Sequence, residues 1–278
     1  MAVSTAFPKS YRLSPLKKYS QSFLTDEQIL RDIVAAGCLR PEDTVLEIGP
    51  GLGVMTRLLA DRVAGLTAVE IDGRLIPLLH DAFTGRKNVE IVHGDILTYD
   101  FSSFSPAGKI KVMGNIPYRI TSEILFRLLE LRRRIHLAVL LMQREVAERL
   151  TAQPGTKAYG IPTVLLGMYA RAEKLFAVAN HSFYPVPAVQ SAAVRLTFHE
   201  HPAYALDDEE FFRALVRAAF AQRRKTLFNN LKSFSKISLP DEMIRGVLDR
   251  AGIDGSRRAE TLTIAEFARL SNMLTPEK

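Results

Sequence analysis

The sequence predicts a mixed α/β chain: a mostly parallel sheet covered by helices on both faces, followed by a small all-helical domain. Three observations carry this. Short apolar runs alternate with segments of helical periodicity over the first two hundred residues, a glycine-rich turn follows the first main run, and strand-like runs cease after residue 200. Near-continuous apolar runs separated by helical segments are what strands buried on both faces require, because each crossover helix covers one face of the sheet.

Taken in order, "TVLEI" (44–48) is the first such run and leads into "EIGPGLGVMT", with glycines at 49, 51 and 53 before a helix starting near Val54. "LTAVE" (66–70), "VEIV" (89–92), "IKVMG" (110–114) and "HLAVLLM" (136–142) follow, with helical segments such as "VMTRLLADRV" between runs. "SAAVRLTF" (191–198) comes after a proline-rich stretch with no long helix before it, which suits an antiparallel addition to the sheet. Helical periodicity then covers 208–220, 222–234, 240–251 and 263–274, and "HEHPAYAL" (199–206) divides the two parts.

Composition bounds the function. A chain of 278 residues, 47% hydrophobic and 24% charged, holds one large core and a smaller one. The single cysteine, Cys38, excludes an intramolecular disulfide and a thiolate zinc knuckle, so a reducing compartment is expected and no structural metal. No stretch reaches the roughly 18 apolar residues of a membrane span. Lys9, Arg12, Lys17 and Lys18 make the start basic without an apolar core behind them, which suits a nucleic-acid-touching arm or an organelle transit segment better than a secretion signal.

The net charge of +7 is concentrated: residues 211–240 hold seven basic residues and no acidic one. Arg223, Arg224 and Lys225, with Phe220 and Phe228 nearby, and Lys232 beyond them, supply charge and stacking surface for a phosphate backbone, or a solvated helix face. Phe220, Leu227 and Leu231 have the spacing of core residues, and Arg132, Arg133 and Arg134 read as a solvated helix end. His93, His136 and His181 show no ligand spacing.

Glycines in a strand-to-helix turn let the backbone approach a ligand closely, beside the unpaired amides of a helix start. The dinucleotide fingerprint wants its third glycine at position 54, occupied here by Val54, so the spacing favours a nucleotide-like ligand without phosphates, such as S-adenosylmethionine. Glu70 ends the second main run about 20 residues after the glycines, where a carboxylate can accept from ribose hydroxyls. Asp95 in "HGDIL" can accept from an adenine amino group, and Asn115 stands at the next strand end. In open parallel sheets these ends share one crevice.

Asn115 opens "NIPY" (115–118), which resembles the motif of the adenine-amino methyltransferases. More closely, the chain resembles the small-subunit ribosomal RNA adenine dimethyltransferases. The shared stretches are "QSFL" (21–24), "EIGPGLG" (47–53), "VEID" (69–72), "GD" (94–95), "GNIPY" (114–118), "QREVAERL" (143–150), "KAYG" (157–160), "SFYPVPAVQSAAVRL" (182–196) and "FAQRRKTLFNNL" (220–231). They cover nearly everything from residue 17 to 274.

The resemblance implies a Rossmann-like class I methyltransferase sheet of seven strands, one antiparallel, over residues 1–200, and a helical RNA-binding domain over 201–278. It implies S-adenosylmethionine as methyl donor, without a metal, held by Ser22, Leu24, Gly49, Gly51, Glu70, Asp95 and Asn115. The side-chain oxygen of Asn115 and the carbonyl of Ile116 would accept the two hydrogens of an adenine amino group, Pro117 would stiffen that carbonyl, and Tyr118 would carry the extruded base. Phe183 is similar to the family's second aromatic, on the base's opposite face. Gln21 belongs to the family's segment over the cofactor. Ser22 stands where the family usually has Asn or His, and Gln190 where an Asp is common.

The implied partner is small-subunit ribosomal RNA in a partly assembled 30S particle, met by a cytoplasmic monomer with no membrane association. Its target would be two adjacent adenosines, dimethylated in a helix-capping loop. Three other readings stay open on sequence: a large-subunit RNA methyltransferase of the antibiotic-resistance type, a DNA adenine methyltransferase, and a non-catalytic RNA-binding factor on the same fold.

Overall fold

A computed structural model describes residues 14–16, 21–101, 108–236 and 239–275. The basic positions Lys9, Arg12, Lys17 and Lys18 lie outside the described residues. Two compact units are present: one runs to Ala147 and resumes over Glu173–Phe198, the other holds Glu148–Ala172 and the chain from His199.

In the first unit β1 (Phe23–Leu24) leads to α1 (Glu27–Ala36), whose N-terminus is capped by the Asp26 carboxylate accepting from the amides of Gln28 and Ile29. Then come β2 (Thr44–Ile48), α2 (Val54–Ala60), β3 (Gly65–Glu70), α3 (Ile76–Ala82), β4 (Val89–His93), β5 (Ile110–Asn115), α4 (Thr121–Glu130) and β6 (Ile135–Gln143). The chain then passes through α5 (Arg144–Leu150) and, in the second unit, α6 (Ile161–Gly167) before β7 (Ala170–Val178), β8 (Phe183–Tyr184) and β9 (Ser191–Phe198). Every predicted strand is present within one residue at each end; the central ones are apolar because both faces are covered, with Val45, Leu46, Val112, Met113 and Leu140 wholly buried, while β4 at the sheet edge is only partly covered.

The seven-stranded sheet has the order β4-β3-β2-β5-β6-β9-β7. Pairs among β2 to β6 are parallel, and β9 runs antiparallel to β6, as its missing crossover helix predicts. From β2 the chain builds outward to β3 and β4, then returns to place β5 on the other side. The topological switch point therefore lies between the carboxyl ends of β2 and β5, where ligands of open α/β sheets bind. The strands come close there: Gly114 pairs with Ile48, and a Cβ on it would stand 2.8 Å from the Ile48 carbonyl oxygen. At the opposite, amino end of the strands, buried Lys111 donates to Asp43 at 2.8 Å and to the Cys38 carbonyl at 2.6 Å, tying β5 to the turn after α1.

The second unit contains α7 (Glu209–Ala219), α8 (Leu227–Lys232), α9 (Asp241–Arg250) and α10 (Ile264–Leu274). Asp208 caps α7 and Thr226 caps α8, so the segment predicted as one helix over 222–234 begins only at Leu227 and leaves Arg223–Lys225 in a turn. The buried amide of Asn230 donates to the Ala219 and Gln222 carbonyls, closing the end of α7 onto α8. Residues 148–172, assigned to the first domain from sequence, pack in this second unit: the Gly155 amide donates to the Glu260 carbonyl, and Tyr159 lies against Phe220, itself stacked on Phe267. Among the described residues no helix is long and apolar enough to cross a membrane.

Candidate active site

A cleft containing about 730 Å³ of empty space, partly open to solvent, lies at the switch point. Gly49, Gly51, Glu70, Asp95, Asn115 and Tyr118 all line it, so residues predicted from four successive strand ends meet at one place.

The glycine turn is built for close approach. Gly49, Gly51 and Gly53 have φ of +66°, +57° and +76°, a region costly for any residue with a Cβ, and a Cβ on Gly51 would also meet the Phe23 ring at 3.0 Å. Glu70 holds this turn from below. Its two carboxylate oxygens accept from the Gly51 amide at 3.0 Å and the Asp72 amide at 2.9 Å. Burial pushes its pKa above the ordinary carboxylate range, against the pull of those backbone donors. Asp72 beside it is held down to about 2 by the Arg74 guanidinium, and its Oδ2 also accepts from Gln21 Nε2 at 2.8 Å. Gln21 in turn accepts from the Leu16 amide at 2.7 Å, fastening the amino-terminal segment to the end of β3.

Asn115 is held from one side only. Its Nδ2 donates to the Ser22 carbonyl at 2.9 Å, and no donor to its Oδ1 is present among the described residues. The amide therefore has a fixed orientation and an accepting oxygen to spare. The Ile116 amide donates to the Leu141 carbonyl at 3.0 Å, so the β5–β6 ladder fixes the peptide entering the motif. Pro117 has φ −60° and ψ 129°, and Tyr118 starts a single 3-10 turn to Ile120. The Tyr118 hydroxyl is hydrogen-bonded to Ser191 Oγ, and burial raises its pKa, so the ring is a neutral, tethered plate. Ser191 reaches it because the antiparallel β9 begins opposite Gln143, at the carboxyl end of β6.

The short ladder between β1 and β8 sorts the remaining candidates. Phe23 pairs with Tyr184 and Leu24 with Phe183; directly opposed residues share a face, and successive residues alternate. Phe23 lines the cleft, whereas Leu24 and Phe183 belong to the core, with Phe183 only 2% exposed. The Phe183 ring, expected on the opposite face of the base, packs with Leu24 in the core and is not among the residues lining the cleft, because a two-residue strand turns its neighbours to opposite sides. Ser22 does contribute at the cleft, through its carbonyl to Asn115, while its hydroxyl donates to the Pro185 carbonyl at 2.7 Å. Gln190 accepts from Arg144 at 2.7 Å.

Two residues of the site escape sequence reasoning. Ser191 carries no sign of its tie to Tyr118 beyond its place at the start of a strand. Glu47, inside the quoted glycine motif, is completely buried; neither carboxylate oxygen nor the nearby Thr56 hydroxyl has a partner at hydrogen-bonding geometry, and burial raises Glu47 to about 8, with Glu70 adding repulsion. An acid inside an otherwise apolar strand run is the signal that could have found it.

The family model described as ribosomal RNA adenine dimethylase matches residues 14–274. The chain belongs to the ribosomal RNA adenine dimethylase family. A relative from Syntrophus aciditrophicus, the ribosomal RNA small subunit methyltransferase A, is 46% identical over 96% of each chain. Among solved structures, a dimethyladenosine transferase from Plasmodium falciparum superposes with a TM-score of 0.76 at 27% identity, over 88% of this chain and 94% of that one. The 23S rRNA methyltransferase ErmE gives a TM-score of 0.70 at 31% identity, over 91% and 99%.

In this member of the dimethylase family the four basic candidates of the second unit are not equivalent. Arg223 pairs with Glu260 at 2.9 Å and donates to the Lys157 carbonyl, and Lys232 pairs with Asp241 at 2.7 Å. Arg224 and Lys225 are exposed in the turn before α8, and their side chains have no ion-pair partner among the described residues. The exposed pairs are worth at most about 1 kcal/mol each, so a phosphate could exchange with either carboxylate at little cost.

Proposed function

We propose that this chain transfers methyl groups from S-adenosylmethionine to the exocyclic amino groups of two adjacent adenosines in small-subunit ribosomal RNA, dimethylating each. The observation that carries this reading is Asn115: its amide nitrogen is occupied by Ser22, its oxygen meets no donor among the described residues, and the residue lines the same cleft as Glu70 and Asp95.

The residues suit the methyl donor. Glycines with positive φ leave room against the backbone, Glu70 offers a carboxylate fixed by two amides for a ribose, and Asp95, oriented by its bond from the Leu97 amide, can accept from an adenine. When bound, S-adenosylmethionine would supply an electrophilic sulfonium methyl: the adenine nitrogen would bond to that carbon as the carbon–sulfur bond breaks in line, its electron pair leaving with the thioether, S-adenosylhomocysteine, and the amino proton passing to water.

The protein's part is positioning. An adenine amino nitrogen is a poor nucleophile because its lone pair is delocalised into the ring. Asn115 Oδ1 and the Ile116 carbonyl accept its two hydrogens, drawing the nitrogen towards tetrahedral geometry with the lone pair directed across the cleft. Tyr118, tethered through Ser191, carries the extruded base on its ring. Phe183 serves this site indirectly, by holding β8 against β1. Arg224 and Lys225 contact phosphates, joined by Arg223 and Lys232 once their carboxylate partners exchange. The enzyme acts as a cytoplasmic monomer on a partly assembled 30S particle.

Glu70→Gln keeps the shape and one accepting oxygen but removes the charge; it is expected to weaken binding of S-adenosylmethionine roughly tenfold in calorimetric titration. The function itself is tested by incubating the protein with labelled S-adenosylmethionine and under-methylated small subunits, then analysing RNA digests by mass. Dimethyladenosine in small-subunit RNA is expected. Label confined to large-subunit RNA would favour the ErmE-like reading instead.

A further inference from the structure

Among the described residues, six large apolar side chains stand exposed, and three of them fall in one stretch of six residues: Tyr184 (47%), Val186 (64%) and Val189 (44%). The stretch is anchored on several sides. Ser22 Oγ donates to the Pro185 carbonyl at 2.7 Å, Asn180 Nδ2 donates to the Pro187 carbonyl at 3.0 Å, and the Gln190 side chain accepts from Arg144. Its position relative to the cleft follows from the ladder. Tyr184 is the cross-strand partner of Phe23, so the two side chains share a face, and Phe23 lines the cleft. Ser22, whose carbonyl orients Asn115, is also the residue whose hydroxyl holds Pro185. Tyr184 therefore stands at the edge of the reaction cleft on a backbone fixed to the catalytic loop.

An exposed aromatic ring flanked by two β-branched residues is poorly solvated, and on a fixed backbone it offers stacking area at little entropic cost. Swinging one adenosine out of a strand bares a face of its neighbour, which then needs a new apolar surface. We propose that Tyr184, supported by Val186 and Val189, is the platform on which the RNA base next to the extruded adenosine stacks. This rests on the adenosine-methylating reading of the cleft and adds to it a residue that reads the flanking nucleotide. Since two adjacent adenosines are the proposed targets, the base on the platform during one round would be the substrate of another.

The chain contains no tryptophan, so Tyr184→Trp introduces a single indole reporter at this position. Its emission is expected to be quenched by under-methylated small subunits, and by a synthetic single-stranded RNA with adjacent adenosines at concentrations where anisotropy shows it bound. S-adenosylmethionine alone should leave the emission unmoved. Tyr184→Ala is expected to raise KM for the subunits roughly tenfold with unchanged affinity for S-adenosylmethionine, and Tyr184→Phe to restore KM, as loss and return of a base–aromatic stack require. Emission indifferent to bound RNA, or an unaltered KM in Tyr184→Ala, would overturn the proposal. So would a response to intact subunits with none to bound RNA, which would assign the surface to a ribosomal protein. Failure of the unsubstituted protein to methylate adenosine would sink the function itself; methylation with a silent reporter sinks only the platform.

Discussion

Asn115→Ala is expected to lower kcat for methyl transfer about a thousandfold while weakening S-adenosylmethionine less than tenfold. The asymmetry follows from where the side chain is tied. Its nitrogen is spent on the Ser22 carbonyl, so the group left to act is one oxygen whose direction is set before any substrate arrives. Accepting from the target amino group matters more as that nitrogen becomes tetrahedral than while it is planar, which makes the bond a transition-state interaction. Alanine removes the acceptor and leaves the glycine turn, Glu70 and Asp95 in place. Single-turnover transfer from labelled donor, alongside calorimetric titration of the donor, separates the two quantities. A kcat within tenfold of the original would mean that residue 115 does not orient the amino group.

Glu47 governs the second large effect, on stability. An ordinary glutamate ionises near 4.5, whereas burial raises this one to about 8. Between those values the folded chain holds a proton that the unfolded chain releases, so stability is full below about pH 4.5, declines as pH rises towards 8, and levels off above it. The span corresponds to a loss on the order of 3–5 kcal/mol. Glu47→Gln, neutral at every pH, is expected to remove most of this slope and to raise Tm at pH 8.5 by roughly 5–10 °C, with little change near pH 5. Thermal unfolding monitored by circular dichroism across pH 5–9 checks it. Parallel Tm profiles for the two proteins would show that Glu47 is not the titrating group.

Much of the architecture is legible because the central strands are covered on both faces and must be apolar throughout. β7 escaped for the complementary reason: at the edge of the sheet it is only partly covered, and Arg171, Glu173 and Lys174 disguise it as a polar segment. The strand-end residues Glu70, Asp95 and Asn115 could be grouped by topology alone, since parallel strands deliver their carboxyl ends to one side. Phe183 could not be placed, because a strand of two residues is too short to display alternation, and which neighbour faces the cleft is settled by pairing with β1, some 160 residues away. Charge was visible but its engagement was not: Arg223 and Lys232 meet Glu260 and Asp241 only after the helices pack.

Serine at position 22 differs from the asparagine or histidine that the family resemblance leads one to expect, and by its side chain alone it would be marked as a defect. The bond that aims Asn115 comes from a main-chain oxygen, an atom that all twenty amino acids possess. Selection on catalysis at this site can thus act on the path of the polypeptide and remain blind to the letter written there.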